Sequence, residues 1–82
     1  MGVHRVVVDV MLKPEILDPQ GQAVANALPS LGFPAPAGLR IGRHVELALE
    51  AESPERALEQ ATAIAEKLLA NPVIEDFCVR QP

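Results

Sequence analysis

Trp and Tyr are absent from this chain of 82 residues, and Phe33 and Phe77 are its only aromatic side chains. Single-stranded nucleic acids are held by stacking bases on aromatic platforms, and two phenylalanines supply none to spare. Cations are also scarce. Seven Lys and Arg stand against eleven Asp and Glu, for a net charge of −4 and a pI near 5.0. A nucleic-acid binder needs clustered cations to displace counterions from phosphates, so that class of partner is excluded. There is a single cysteine, Cys78. It rules out an intrachain disulfide, and no Cys and His cluster has zinc spacing. No apolar run approaches the roughly 20 residues needed to cross a bilayer, so no membrane partner is expected. Met1-Gly2 leads straight into a strand pattern with no signal-peptide architecture. Position 6 is Val rather than Ser or Thr, which breaks the myristoylation motif. The expected compartment is the cytoplasm, with which one thiol is consistent.

What is present is apolar. Hydrophobic residues make up 49% of the chain, too many for disorder, and the length gives one domain, residues 1–82. So small a domain buries a modest fraction of its surface. Without staples, oligomerisation is the remaining common route to stability. Residues 3–12 read as a strand by β-branched content. Val6, Val8, Val10 and Leu12 share one face. Arg5, Val7, Asp9 and Met11 share the other, which is half apolar and so expected to be partly covered. Asp18-Pro19 starts a helix, the Asp as cap and the Pro at the first helical position. Val24, Ala27, Leu28 and Leu31 give it an amphipathic spacing, and Gly32 closes it with Phe33 folding back. Pro29 lies in the last turn, where it predicts a kink or a tightened turn. A stiff loop, residues 34–38, follows. Val45, Leu47 and Leu49 then alternate with His44, Glu46, Ala48 and Glu50 in a half-buried strand. Gly42 before it fits either a hairpin turn or a bulge. Ser53-Pro54 starts a second helix, with Leu58, Ala61, Ile64 or Ala65, and Leu68 as its buried stripe.

Residues 66–77 join that helix to the last strand. Asn71 is expected to take the left-handed conformation that closes a helix, and Pro72 cannot continue one. The strand is expected to run from Val73 to Arg80, with Val73, Phe77 and Val79 on one side. The order is strand, helix, strand or hairpin, helix, strand. It predicts an α+β fold, a two-layer ferredoxin-like sandwich with a mostly antiparallel sheet of three or four strands and two helices on one face.

A search for chemistry returns no site: no catalytic, cofactor-binding or metal-ligating residue is assigned. Cys78 lies between Phe77 and Val79 and reads as an inert strand cysteine. His4 and His44 sit at strand starts and lack the convergent ligands that a metal requires. Glu46, Glu50, Glu52 and Glu55 match the outer face of a strand and the first turn of a helix, where acidic residues favour the dipole. Asp9 shares its face with Val7 and Met11, and at an interface it is placed to pair with an Arg of another chain. Gly21 belongs to no phosphate-binding glycine pattern, and Asp18 would repel an anion from that helix start.

Several segments, in order and spanning about residues 4 to 80, resemble a known family. They are Leu12-Lys13-Pro14, Asp18-Pro19-Gln20-Gly21, Leu31-Gly32-Phe33, Arg40-Ile41-Gly42-Arg43 and the run Leu68-Leu69-Ala70-Asn71-Pro72-Val73-Ile74-Glu75-Asp76-Phe77. This pattern is similar to PurS, the small subunit of phosphoribosylformylglycinamidine synthase of purine biosynthesis. The family usually has Gly after Lys-Pro, where this chain has Glu15, and Pro29 and the 34–38 loop are also unusual. The resemblance implies a non-catalytic scaffold subunit of an ATP-dependent glutamine amidoligase. In that scheme PurQ releases ammonia from glutamine and PurL uses ATP to convert formylglycinamide ribonucleotide to formylglycinamidine ribonucleotide. The small subunit joins PurQ and PurL, assists ammonia transfer, self-associates to a dimer or tetramer and binds no cofactor itself. The alternative reading is a dimeric small-metabolite-sensing module of the same broad fold.

Overall fold

In the computed structural model, which describes residues 1–82, three strands form one antiparallel sheet. The central strand β1 (Gly2–Leu12) pairs with β2 (Arg43–Ala51) on one side and β3 (Glu75–Arg80) on the other. The register sets Val8 opposite Val45 and Val79, and Val10 opposite Arg43 and Phe77. Strand alternation then puts Val6, Val8 and Val10 on one face with Val45, Leu47, Leu49, Phe77 and Val79. The class is α+β, as the element order predicts, and the number of strands is three. Residues 39–42 form no strand, so Gly42 is neither a hairpin turn nor a bulge. It precedes β2 directly, where an added Cβ would run into Met11 Sδ and the Val10 carbonyl.

The helix α2 (Pro54–Ile64) lies on that valine face. Ser53 caps it, accepting from the Arg56 amide at 3.2 Å. Ala57, Ala61 and Ala65, four residues apart, are fully buried with the three valines. Their single methyl groups let the helix backbone approach the sheet closely. The stripe differs from expectation at Leu68, which is 82% exposed. The helix ends in a π turn, Ala65–Leu69, in which the Ala70 amide donates to the Ala65 carbonyl at 2.9 Å. The wider turn advances the register by one residue and swings Leu69, in place of Leu68, toward the core.

The joint to β3 is also built differently. Asn71 is not left-handed; Gly32 is the only residue with positive φ. Ala70 leaves the helix in an extended conformation (φ −123°, ψ 142°). Asn71 acts through hydrogen bonds: its Oδ1 accepts from the Val73 amide at 3.1 Å and its carbonyl from the Ile74 and Glu75 amides. These bonds make a turn of residues 72–74, so the strand opens at Glu75 and Val73 stays outside it, exposed.

The two helices do not share the sheet equally. The first, α1 (Pro19–Ala27), runs into a 3₁₀ turn (Leu28–Leu31), the tightened end that Pro29 predicts. Gly32 closes it at φ 91°, with the Phe33 amide donating to the Leu28 carbonyl at 3.1 Å. This helix makes no sustained packing with the sheet. It leaves the end of the sheet as an arm, and the molecule is 52 Å long and 16 Å thick.

Candidate functional site

Two places gather polar chemistry: the sheet face away from α2, and the root of the α1 arm.

On the open sheet face the register brings Asp9 opposite His44 on β2 and Cys78 on β3, and Val7 opposite Glu46 and Arg80. The Asp9 carboxylate bridges both outer strands. The Arg80 Nε donates to its Oδ2 at 2.9 Å, and the His44 Nδ1 lies 2.9 Å from its Oδ1. The other imidazole nitrogen lies 3.1 Å from Glu46 Oε2. Thus the arginine partner of Asp9 is in its own chain, not another, because antiparallel pairing carries Arg80 back past Val7. The Arg80 guanidinium, with help from His44, holds the Asp9 carboxyl below the ordinary carboxylate range. Asp9, and then Glu46, raise the His44 imidazole above its usual value. Val7, between Glu46 and Arg80, is 3% exposed although no helix lies over it. The half-apolar character of this face therefore needs no covering element at Val7 itself.

The other candidates do not converge. His4 is on the α2 side of β1, opposite Leu49, on the other face and at the other end from His44. Glu50 faces the same way as Glu46, four residues on, while Glu52 follows β2 and Glu55 lies in the first turn of α2. Cys78 is exposed. No three or more His, Cys, Asp or Glu side chains gather as metal ligands do.

The arm root is held by two residues. Asp18, nearly buried, caps α1 through Oδ1, which accepts from the Gly21 amide at 3.0 Å. Its Oδ2 accepts from the Ile41 amide at 2.9 Å. The Gly21 amide, then that of Ile41, holds this carboxyl below its ordinary range. Arg40 donates to the Leu12 and Lys13 carbonyls at 3.1 and 3.0 Å. The outgoing chain (12–18) and the returning chain (39–42) are thereby stitched together beside an open cleft of about 520 Å³. At the same end of the sheet Arg43 binds the Leu69 carbonyl and the Glu75 carboxylate, and Lys13 pairs with Asp76 at 2.9 Å. The cap role of Asp18 is legible in the sequence. Its second bond, and those of Arg40, join residues more than 20 positions apart and leave no local signal.

A three-stranded antiparallel sheet, one covering helix and one projecting helical arm define a small α+β subunit class, and the comparisons agree over the whole chain. Residues 5–81 match the family model described as PurS, phosphoribosylformylglycinamidine (FGAM) synthase. The PurS subunit of Mycobacterium leprae is 48% identical over 75 residues, covering 92% of this chain and 91% of that one. That of Bacillus subtilis is 43% identical, with 92% and 88% covered. A crystal structure of the Thermotoga maritima purS subunit superimposes with a TM-score of 0.89 at 33% identity, covering 98% of this chain and 92% of that one. A chain in a structure of PurLQS from the same organism gives 0.90 at 32% identity, with 100% of both chains covered. The chain belongs to the PurS family of FGAM synthase subunits.

Proposed function

We propose that this chain joins PurL and PurQ in an ATP- and glutamine-dependent FGAM synthase, self-associates in doing so, and has no active site or bound cofactor of its own. The likeness over full length to a chain of the PurLQS structure carries the reading. The scatter of His4, Cys78, Glu52 and Glu55 over separate surfaces supports it, since nucleophilic and acid–base catalysis need groups within hydrogen-bond reach of one another. The one clustered set, Asp9, His44, Glu46 and Arg80, is internally paired on an open face without a cavity.

The physical need for such a subunit lies in the nucleophile. Ammonia in neutral water is mostly ammonium, which does not attack. A protein that orders the contact between two active sites keeps the intermediate neutral and away from water. The reaction would run in the cytoplasm; no helix here is long and apolar enough to cross a membrane.

Reconstitution tests this. The purified chain alone is expected to show no glutaminase or ATPase activity, and adding it to PurQ and PurL to restore glutamine-dependent product. Equal product from PurQ and PurL without it would refute the joining role.

A further inference from the structure

We propose that Asp18, Gly21 and Arg40, at the root of the α1 arm, are positioning residues for glutamine-dependent synthesis. They fix the angle between the arm and the sheet, and through it the relative placement of the two larger subunits. The inference rests on the joining role proposed above and names the residues that set its geometry.

The chain consists of two bodies, the sheet with α2 and the arm. The arm makes no sustained packing with the sheet, so no core contact holds its direction. Only the root does. There the chain leaves through residues 12–18 and returns through 39–42, and the hydrogen bonds across that gap come from two side chains. Asp18 Oδ2 accepts from the Ile41 amide at 2.9 Å. The Arg40 guanidinium lies across the outgoing chain. It donates to the carbonyls of Leu12 and Lys13 at 3.1 and 3.0 Å and reaches that of Ile16 at 3.5 Å. An ionised partner in each of these bonds makes them stronger than bonds between neutral groups.

Gly21 sets how closely the two stretches approach. A Cβ at Gly21 would strike the Asp18 carboxylate and the Leu39 carbonyl. The same three residues border the open cleft of about 520 Å³, so on that side no packed side chains brace the root. The angle of the arm therefore depends on a few polar contacts and one missing side chain. Residues at element ends that absorb a change of angle are the usual hinges of proteins, and here they are fastened.

Leverage makes the fastening matter. Nine α-helical residues and a four-residue 3₁₀ turn carry the arm about 20 Å beyond its root. A rotation of about 10° at the root then moves the tip by about 3–4 Å. The arm is also built for contact. From Pro19 to Leu39 there is no charged residue, Leu31 and Phe33 are exposed, and shedding charge is the mark of an interface core. A joining subunit that meets its neighbours through both bodies sets their spacing by the angle between the two. Ammonia must pass from PurQ to PurL, and a displacement of about 1 Å is enough to cost a reaction about 100-fold.

The test is steady-state kinetics of the complex reconstituted from PurL, PurQ and the full chain, wild type against Asp18→Ser, Arg40→Ala and Gly21→Ala. Ser caps a helix as well as Asp does, but it is too short to hold Ile41 too. Ala at Gly21 favours the helix while it wedges the root open. Neither change weakens α1, so a loss shared by both reports the direction of the arm. Product is measured with glutamine and, separately, with an ammonium salt at alkaline pH, which supplies ammonia to PurL directly. The expected result is an assembled complex with an unchanged ammonia-supported rate, a glutamine-supported rate lower by about 10- to 100-fold, and more glutamate released per product. Variants that couple glutamine to product like wild type overturn the inference. So does a failure of all three to fold or to assemble, because the root is then a part of the fold and no more. Failure of the joining role shows separately, as equal glutamine-supported product from PurL and PurQ with no chain added.

Discussion

Asp9 is shared between Arg80 and His44, and its two oxygens tie both outer strands to the central one. The consequence is a dependence on pH of both signs. His44 has a raised pKa in the fold, so its contribution is complete below the ordinary histidine value of about 6.5 and is lost as pH rises through the higher folded value. Asp9 has a lowered pKa, so its contribution is complete above the ordinary carboxylate value of about 4 and is lost as pH falls through the lower folded value. Thermal unfolding across pH 4 to 9 is therefore expected to show a plateau from about pH 4 to 6.5 with a shallow fall on the alkaline side. The alkaline fall is expected to shrink in His44→Ala. These groups are exposed, so the effect is small. At Gly42 the constraint is steric. Met11 Sδ and the Val10 carbonyl occupy the space of a side chain, so Gly42→Ala is expected to lose about 1–3 kcal/mol, the scale of overpacking, measured by urea unfolding. The acceptor role of Asp18 and the left-handed Gly32 are readable from residue type and spacing. The partner of Asp9 is not, because Arg80 lies 71 positions away and only strand register brings it near.

Among the elements, α2 shows how a helix of small residues packs. Ala57, Ala61 and Ala65 have no exposed surface, so the helix lies close on Val6, Val8 and Val10. Ala61→Leu adds volume at a contact that cannot open without lifting the helix, and is expected to cost about 1–3 kcal/mol in equilibrium unfolding. Ala61 was legible, and Ala65 as one of two alternatives, whereas the expected Leu58 is only partly buried and the deepest contact in that turn is Ala57. The stripe failed at Leu68 because a 3.6-residue period assumes α geometry throughout, and the π turn at Ala65–Leu69 shifts the phase. Asn71 failed for a related reason. Its residue type suits the left-handed state, but the same side chain also makes an Asx turn, and the bonds to Val73, Ile74 and Glu75 favour the turn. For α1 the spacing led to a helix packed on the sheet, whereas Val24 and Leu31 are exposed and the helix stands off it.

Over the whole molecule, the fully buried side chains larger than alanine are few, chiefly Val6, Val8 and Val10. A core of that size leaves little margin against conformational entropy. Stability is then linked to association. Oligomers melt at temperatures that rise with protein concentration, and a rise of roughly 3–6 °C in Tm per tenfold increase in concentration is expected for a dimer of chains this small. Differential scanning calorimetry over a hundredfold concentration range checks this.

The sequence by itself determined the element types, the two Pro-started and capped helices, the valine face of β1, and membership in the PurS family. The first three depend on local conformational preference and on short periodic patterns, which neighbouring residues carry, and the membership rests on the likeness of segments spread along the chain. Only the tertiary structure decided that Asp9 is satisfied within its own chain, that Asp18 and Arg40 stitch the arm to the returning loop, and that α1 stands away from the sheet. Those outcomes depend on contacts between residues distant in the chain. An amphipathic stripe says that a helix has a face to bury, and it does not say which chain supplies the other side.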